Sequence, residues 1–138
     1  MNTRNNDHER GTSTVEGALV LIAFFVILLG IMEMGRIVSV QQTLTDAVRE
    51  GARLAIAPAA GTSTLPSSAA VEAEVQTFLD SNGITGATIN VAAATTNSGD
   101  SGTTVSVQYS YNIITISMFS DAPITLTASS TMRNETSN

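Results

Sequence analysis

An uncharged apolar run near the N-terminus constrains this chain more than any other feature. Residues 17–32, GALVLIAFFVILLGIM, contain no charged side chain, and the apolar character continues past Glu33 and Arg36 to Val40. At a rise of about 1.5 Å per residue, a helix over residues 15–40 is long enough to cross a hydrocarbon core of about 30 Å. The run therefore predicts one transmembrane helix.

Two other interpretations of the run are less favoured. A cleaved secretory signal has a shorter apolar stretch followed closely by small residues, whereas this sequence goes on as MEMGRIV. A helix buried in a soluble core needs enough chain around it. The remainder of the 138 residues is too short and too polar to enclose it.

Glu16 places a carboxylate at the entrance to the apolar run. A charged side chain near the centre of a bilayer costs about 2.5 kcal/mol or more, so chains retain one mainly where a partner or a function compensates. Two interpretations are open from the residues alone. The side chain reaches the headgroup region, because it lies close to the start of the run, or it meets a positively charged partner.

The apolar period continues beyond the membrane segment. Apolar and small residues recur there at spacings of three and four, namely Val40, Leu44, Ala47, Val48, Gly51, Leu54 and Ala55. We therefore expect one helix over residues 12–57, membrane-embedded at first and amphipathic afterwards. Pro58 ends it, because proline lacks an amide proton and clashes with the preceding turn.

Three pairs of opposite charge lie three residues apart on this helix. They are Glu33 with Arg36, Asp46 with Arg49, and Glu50 with Arg53. One interpretation is a solvated helix face, on which each pair contributes about 0.2–0.5 kcal/mol. The other is an inter-subunit contact, in which Arg49, Glu50 and Arg53 meet charged groups of a neighbouring subunit.

A second, short helix is predicted after the linker. Ser67 or Ser68 is the expected N-cap, and Asn82-Gly83 is the expected stop. The apolar stripe of this helix consists of Ala70, Val71, Val75, Phe78 and Leu79.

The rest of the chain predicts three strands of an antiparallel sheet, at residues 87–95, 103–113 and 124–132. The core candidates on these strands are Ile89, Val91, Val105, Val107 and Tyr109. Residues 113–123 either extend the second strand or cross over before the third. The fold class is therefore α+β: a long N-terminal transmembrane and amphipathic helix, a short second helix and a small three-stranded antiparallel sheet covered by the helices.

Residue chemistry argues against an enzyme. Cysteine is absent, and the one histidine, His8, lies across the membrane helix from every plausible catalytic partner. Segment 97–102, NSGDSG, lacks the lysine of a phosphate loop and the closing glutamate of a calcium loop. Glu72 and Glu74 point apart on a helix. We expect no catalytic residue, no metal and no cofactor. Six acids against one arginine beyond Arg53 also make a nucleic-acid partner unlikely.

The N-terminal third resembles a known family. A short arginine-containing leader ends at Gly11, Glu16 follows after four residues, and the apolar run begins directly afterwards. This pattern resembles the processing site of type IV pilin-like proteins. Residues 9–55, which include the REGAR stretch at 49–53, are more narrowly similar to TadE-like proteins, the pseudopilins of tight-adherence (Flp) pilus systems. Gly17 stands where this family usually has an aromatic residue.

The resemblance implies a processing step and a role for Glu16. A prepilin peptidase would cut after Gly11 and leave Thr12 as the new N-terminus, with the leader in the cytoplasm and the C-terminal domain exported. Removal of 11 of the 138 residues would give a mature chain of 138 − 11 = 127 residues. Glu16 would then attract the Thr12 amine of an adjacent subunit and set the register between subunits.

The expected organisation is a leader at 1–11, the long helix at 12–57, a linker at 58–66 and a small exported domain at 67–138. The expected function is that of a non-enzymatic minor pilin or pseudopilin in the cytoplasmic membrane. Its partners would be the lipid membrane, a prepilin peptidase and other pilin-like subunits, and it would act in the assembly of a pilus or enter it. The alternative is an unprocessed single-pass protein that presents a small extracytoplasmic binding domain.

Overall fold

The first half of the chain forms one long helix. A computed structural model describes residues 6–58, 64–96, 99–117 and 123–134, and in it helix α1 spans Asn6–Ile56. The helix begins six residues before the predicted start at Thr12, so residues 6–11 of the expected leader are helical. Extending an existing helix needs no new nucleus, which favours this continuation into the leader. Most of the predicted linker, residues 59–63, lies outside the described residues.

Contacts along the chain group it into two units, Met1–Arg36 and Ile37–Asn138. In the first unit the apolar side chains of α1 are exposed, and none of the most apolar 18-residue stretch is buried. The helix is long and apolar enough to cross a membrane. This unit therefore fits a single-pass membrane protein, as the sequence predicts.

In the second unit, helix α2 spans Ser68–Ser81 and has defined caps at both ends. Ser67 is the N-cap, and its hydroxyl accepts a hydrogen bond from the Ala70 amide at 3.3 Å. At the other end Gly83 has a φ of 76°, and the Ile84 amide donates to the Leu79 carbonyl at 2.9 Å. This is the Schellman arrangement, in which a left-handed glycine lets the last helical carbonyls find donors. The predicted stop is confirmed.

Three strands follow α2: β1 at Thr88–Thr95, β2 at Ser101–Tyr111 and β3 at Ile124–Arg133. They form an antiparallel sheet in the order β1-β2-β3. The α+β fold class is therefore confirmed. Strand β2 ends before residue 113, and a four-residue helix, α3 at Ile114–Ser117, follows it where we expected a longer strand or a crossover.

The core of the second unit lies between the helices and one face of the sheet. It contains Leu44, Ala47, Val48, Ala52, Ala55, Val71, Val75, Leu79, Ile84, Val105 and Val107. The predicted core residues Ile89, Val91 and Tyr109 are partly buried and pack against it. Ala70, predicted on the apolar stripe of α2, is exposed. As expected, the two longer helices cover the sheet.

At Gly51, helix α1 packs closely against α2. A Cβ atom at this position would overlap the Val75 side chain and approach Val105 Cγ1 to 3.4 Å. Gly51 and Val75 are both buried, so the surroundings leave little space for a larger side chain. A glycine inside a helix costs up to about 1 kcal/mol relative to alanine, and here it permits the two helices to approach.

We predict that Gly51→Ala destabilises the domain although it raises helix propensity. Overpacking costs about 1–3 kcal/mol, against a propensity gain of at most about 1 kcal/mol, so a net loss is expected. The loss should lower the Tm by about 4–8 °C for each kcal/mol, measured by thermal unfolding in detergent micelles.

Two further variants make this test specific. Gly35→Ala is the matched control, because a Cβ there meets nothing within 4 Å, and its gain in helix propensity should leave the Tm unchanged or raise it. In the double variant, Val75→Ala should reduce the penalty of Gly51→Ala, since the colliding methyl group is gone. Additive losses in the double variant would contradict the packing argument.

Candidate functional site

The residues implicated in processing and register all lie on α1. Gly11 and Thr12 are consecutive residues within the helix, and Glu16 is one turn beyond Thr12. The Glu16 side chain is exposed, and so are its large apolar neighbours Val15, Leu19 and Val20. Among the described residues it forms no ion pair within 4 Å. As far as the described residues are concerned, the Glu16 carboxylate is therefore available to a partner.

Gly17 leaves the surface beside Glu16 open. A Cβ at Gly17 would meet no atom within 4 Å, and the same holds for Gly30 further along the run. The described part of the chain therefore gives no packing reason for a glycine at position 17. Its effect is to expose backbone next to the carboxylate.

Glu50 and Arg53 form an ion pair on α1, as their spacing predicts. Arg53 donates through Nη2 to Glu50 Oε1 at 2.6 Å and through Nε to Oε2 at 3.1 Å. The Arg53 guanidinium holds the pKa of Glu50 below its ordinary value, mainly through these hydrogen bonds. The Arg53 side chain is 71% exposed and the Glu50 side chain is 46% exposed, so the pair contributes little to stability.

Arg49 and Asp46 do not form the ion pair that their spacing predicts. No salt bridge joins them among the residues that the structure describes. Both side chains instead line an open groove of about 540 Å³ between α1 and β3. The remaining lining residues are Ile37, Val38, Gln41, Gln42, Thr45 and Leu126.

Glu33 departs from the sequence prediction. It was expected on a solvated helix face with Arg36, but it is only 4% exposed, the one charged side chain buried within the described ranges. The sequence does not predict the burial of Glu33, because its apolar neighbours Met32 and Met34 do not indicate that one side of the helix is shielded from solvent. The described residues also contain no cluster of three metal-binding side chains.

The chelated pair gives a prediction about the titration of Glu50, which lies beyond the predicted membrane-spanning residues. Because Arg53 lowers the Glu50 pKa, the contribution of the pair to stability is present at neutral pH and is lost as the pH falls through the lowered value. Arg53→Gln should return the Glu50 pKa towards its ordinary value. Carboxyl chemical shifts from an NMR titration measure this directly.

Arg49→Gln is the matched control, since it also removes one arginine next to Glu50 but breaks no hydrogen bond to it. It should shift the Glu50 titration less than Arg53→Gln does. Equal shifts in the two variants would mean that net charge, and not the bidentate contact, sets the pKa.

Comparisons with known proteins bear on α1 alone. Comparison with curated proteins and with solved structures finds no match. Residues 11–53 match the family model described as TadE-like protein, whose members are structural pilus components. The matched segment begins at Gly11 and includes Glu16, Arg49, Glu50 and Arg53. The N-terminal segment of this chain is therefore similar to TadE-like proteins, as its sequence predicts.

Proposed function

We propose that this protein is a minor pilin or pseudopilin that takes part in the assembly of a tight-adherence, Flp-type pilus. It is held in the cytoplasmic membrane by α1, its second unit lies outside the cytoplasm, and a prepilin peptidase removes residues 1–11. The observation that carries the proposal is the TadE-like match over residues 11–53, which begins at the residue preceding the proposed cut.

Cleavage after Gly11 changes the electrostatics around Glu16. In the uncut chain, α1 begins at Asn6, so Glu16 lies well inside the helix and gains little from its dipole. After the cut, Thr12 carries a positively charged amine, and Glu16 lies near the positive end of the shortened helix. Processing therefore places positive charge near Glu16, which offsets the free-energy cost of holding its carboxylate in lipid.

The same amine is available to a second subunit. Thr12 and Glu16 of one chain lie one turn apart, so an internal pair competes with a pair between subunits. In the low-dielectric bilayer the attraction is strong, although desolvation offsets much of it, and its main result is a defined register. The exposed apolar surface of α1 supplies the contact area, with lipid in the free subunit and with other pilin-like subunits in the assembly.

We predict that the membrane-extracted protein starts at Thr12 when a prepilin peptidase is co-expressed and is uncut when it is not. Intact mass and N-terminal sequencing distinguish the 138-residue precursor from the mature form of 138 − 11 = 127 residues. Gly11→Leu should leave the precursor in the membrane, because the side chain obstructs the cleavage position.

Gly30→Leu is the matched control for this experiment, since it makes the same change at an open helix position away from the cut and should be processed normally. An uncut N-terminus with active peptidase would overturn the processing step. It would favour the alternative function, an anchored protein presenting its second unit as a binding domain, which the separate core of residues 37–138 also permits.

We predict that Glu16→Gln is processed and exported but fails to assemble with pilin-like subunits, since the amide keeps the size and loses the charge. Assembly is measured by isolating complexes with detergent and by counting pili in electron micrographs. Ser13→Ala, an exposed neutral change within one turn, is the control and should assemble normally. Normal assembly of Glu16→Gln would contradict the role of the carboxylate in subunit contacts. It would leave the other interpretation, in which the side chain extends to the headgroup region.

A further inference from the structure

The groove between α1 and β3 changes in chemical character along α1. Its α1 lining passes from apolar to polar to charged residues in the order of the sequence: Ile37 and Val38, then Gln41, Gln42 and Thr45, then Asp46 and Arg49. Leu126 of β3 supplies the opposite wall, and Gln41 Nε2 donates to the neighbouring Thr127 carbonyl at 2.8 Å, which joins the two walls. All of these residues belong to the second unit. The groove is therefore a feature of that unit, with one apolar and one charged end.

The two charged groups of the groove are both available to a ligand. Asp46 and Arg49 are exposed, and neither forms a hydrogen bond or an ion pair within residues 6–58, 64–96, 99–117 and 123–134. Residues three apart are neighbours on a helix surface, so the carboxylate and the guanidinium lie near one another without pairing. Pockets that bind anionic lipids are basic. This groove instead presents one charge of each sign and has no formal net charge.

The charged end of the groove lies near the level of the lipid headgroups. The predicted membrane segment ends at Val40, and at about 1.5 Å per residue the Cα atoms of Asp46 and Arg49 lie about 9 and 13.5 Å beyond it. Side chains on a helix tilt towards its N-terminus, which here is towards the membrane, and arginine has a long stem. The headgroup layer extends about 5–7.5 Å beyond the hydrocarbon core on each side. The two charged groups therefore approach this layer, while the apolar end of the groove adjoins the hydrocarbon.

We infer that the groove binds one phospholipid with a zwitterionic ethanolamine headgroup, taken from the leaflet on the side of the second unit. Arg49 donates hydrogen bonds to the phosphate, and the ammonium group of the lipid donates to the Asp46 carboxylate. An acyl chain contacts Ile37 and Val38 at the apolar end. This inference needs α1 to span a membrane, but it needs neither the processing step nor the role in a pilus. It therefore goes beyond the proposed function and is tested separately from it.

A phospholipid matches this groove better than a second polypeptide does. The acyl chains, ester groups and headgroup of a lipid follow one another along the membrane normal, in the same order as the apolar, polar and charged lining. The volume of about 540 Å³ is within the range of about 300–1,000 Å³ that is typical of small-molecule sites. A specific protein interface uses about 20–30 residues on each side, whereas eight described residues line this groove. The size and the polarity of the groove therefore both favour a lipid.

Native mass spectrometry tests the inference. The full-length protein in detergent micelles is mixed with equal amounts of phosphatidylethanolamine and phosphatidylglycerol that carry the same acyl chains, and the bound lipid is identified by its mass. Phosphatidylglycerol has no ammonium group and would place a net negative charge beside Asp46. We therefore expect several-fold more bound phosphatidylethanolamine. Equal binding of the two lipids, or a preference for phosphatidylglycerol, would overturn the inference.

Charge variants with matched controls locate the headgroup. Arg49→Gln should lower the bound phosphatidylethanolamine several-fold, whereas Arg53→Gln, which removes the same charge outside the groove lining, should not. Asp46→Asn should reduce the preference for phosphatidylethanolamine over phosphatidylglycerol. Its control, Glu74→Gln, makes the corresponding change at an exposed position of α2 and should keep that preference. Equal effects of each variant and its control would mean that net charge decides the binding, and this would overturn the inference.

A tryptophan variant tests the apolar end of the groove. Val38→Trp fills the space that the acyl chain needs, and tryptophan is common at membrane interfaces, so insertion should be retained. It should lower the bound phosphatidylethanolamine several-fold. Ser39→Trp introduces the same residue at the next position, which is exposed and outside the groove lining, and should bind the lipid normally. Undiminished binding by Val38→Trp would overturn the inference. A lipid-free dimer that Val38→Trp dissociates would also overturn it, because the groove would then belong to an interface with a second copy.

Discussion

The exposed apolar surface of α1 is the constraint on which the rest of the molecule depends. Large apolar side chains are exposed along the helix from Val15 to Val38. Covering each is worth about 1.5–3 kcal/mol, so the sum exceeds the roughly 5–15 kcal/mol that typically stabilises a folded domain. Lipid or other apolar helices must therefore surround this unit.

The C-terminal part of α1 has a different role, which is to supply core residues to a small domain. The sheet has only three strands, and α2 alone is too narrow to cover it, so residues 44–55 of α1 supply a large share of the buried side chains. Gly51 permits the close approach, while Glu50 and Arg53 pair on the exposed side of the same turn. The REGAR stretch therefore combines a packing position with a solvated ion pair.

Local patterns predicted α1 and α2, the caps of α2 and the three antiparallel strands, because periodicity, N-caps and left-handed glycines act within a few residues. The pair of Glu50 and Arg53 followed from spacing for the same reason. The exposure of Ala70 and the tight contact at Gly51 depend on residues far away in the sequence. Periodicity identifies a helix face but does not say which neighbour covers it.

The extent of the family match has a physical explanation in this fold. It ends at Arg53, so it includes the apolar part of α1 and most of the face that packs into the core, but neither α2 nor the sheet. The residues of α1 must suit a lipid environment, allow the proposed processing and subunit contacts, and pack into the core of the second unit. One helix is therefore under all of these constraints. Residues beyond it need only to cover the α1 face and keep a soluble surface, a requirement that many sequences meet. The segment under several constraints at once is therefore the one that a family pattern can recognise.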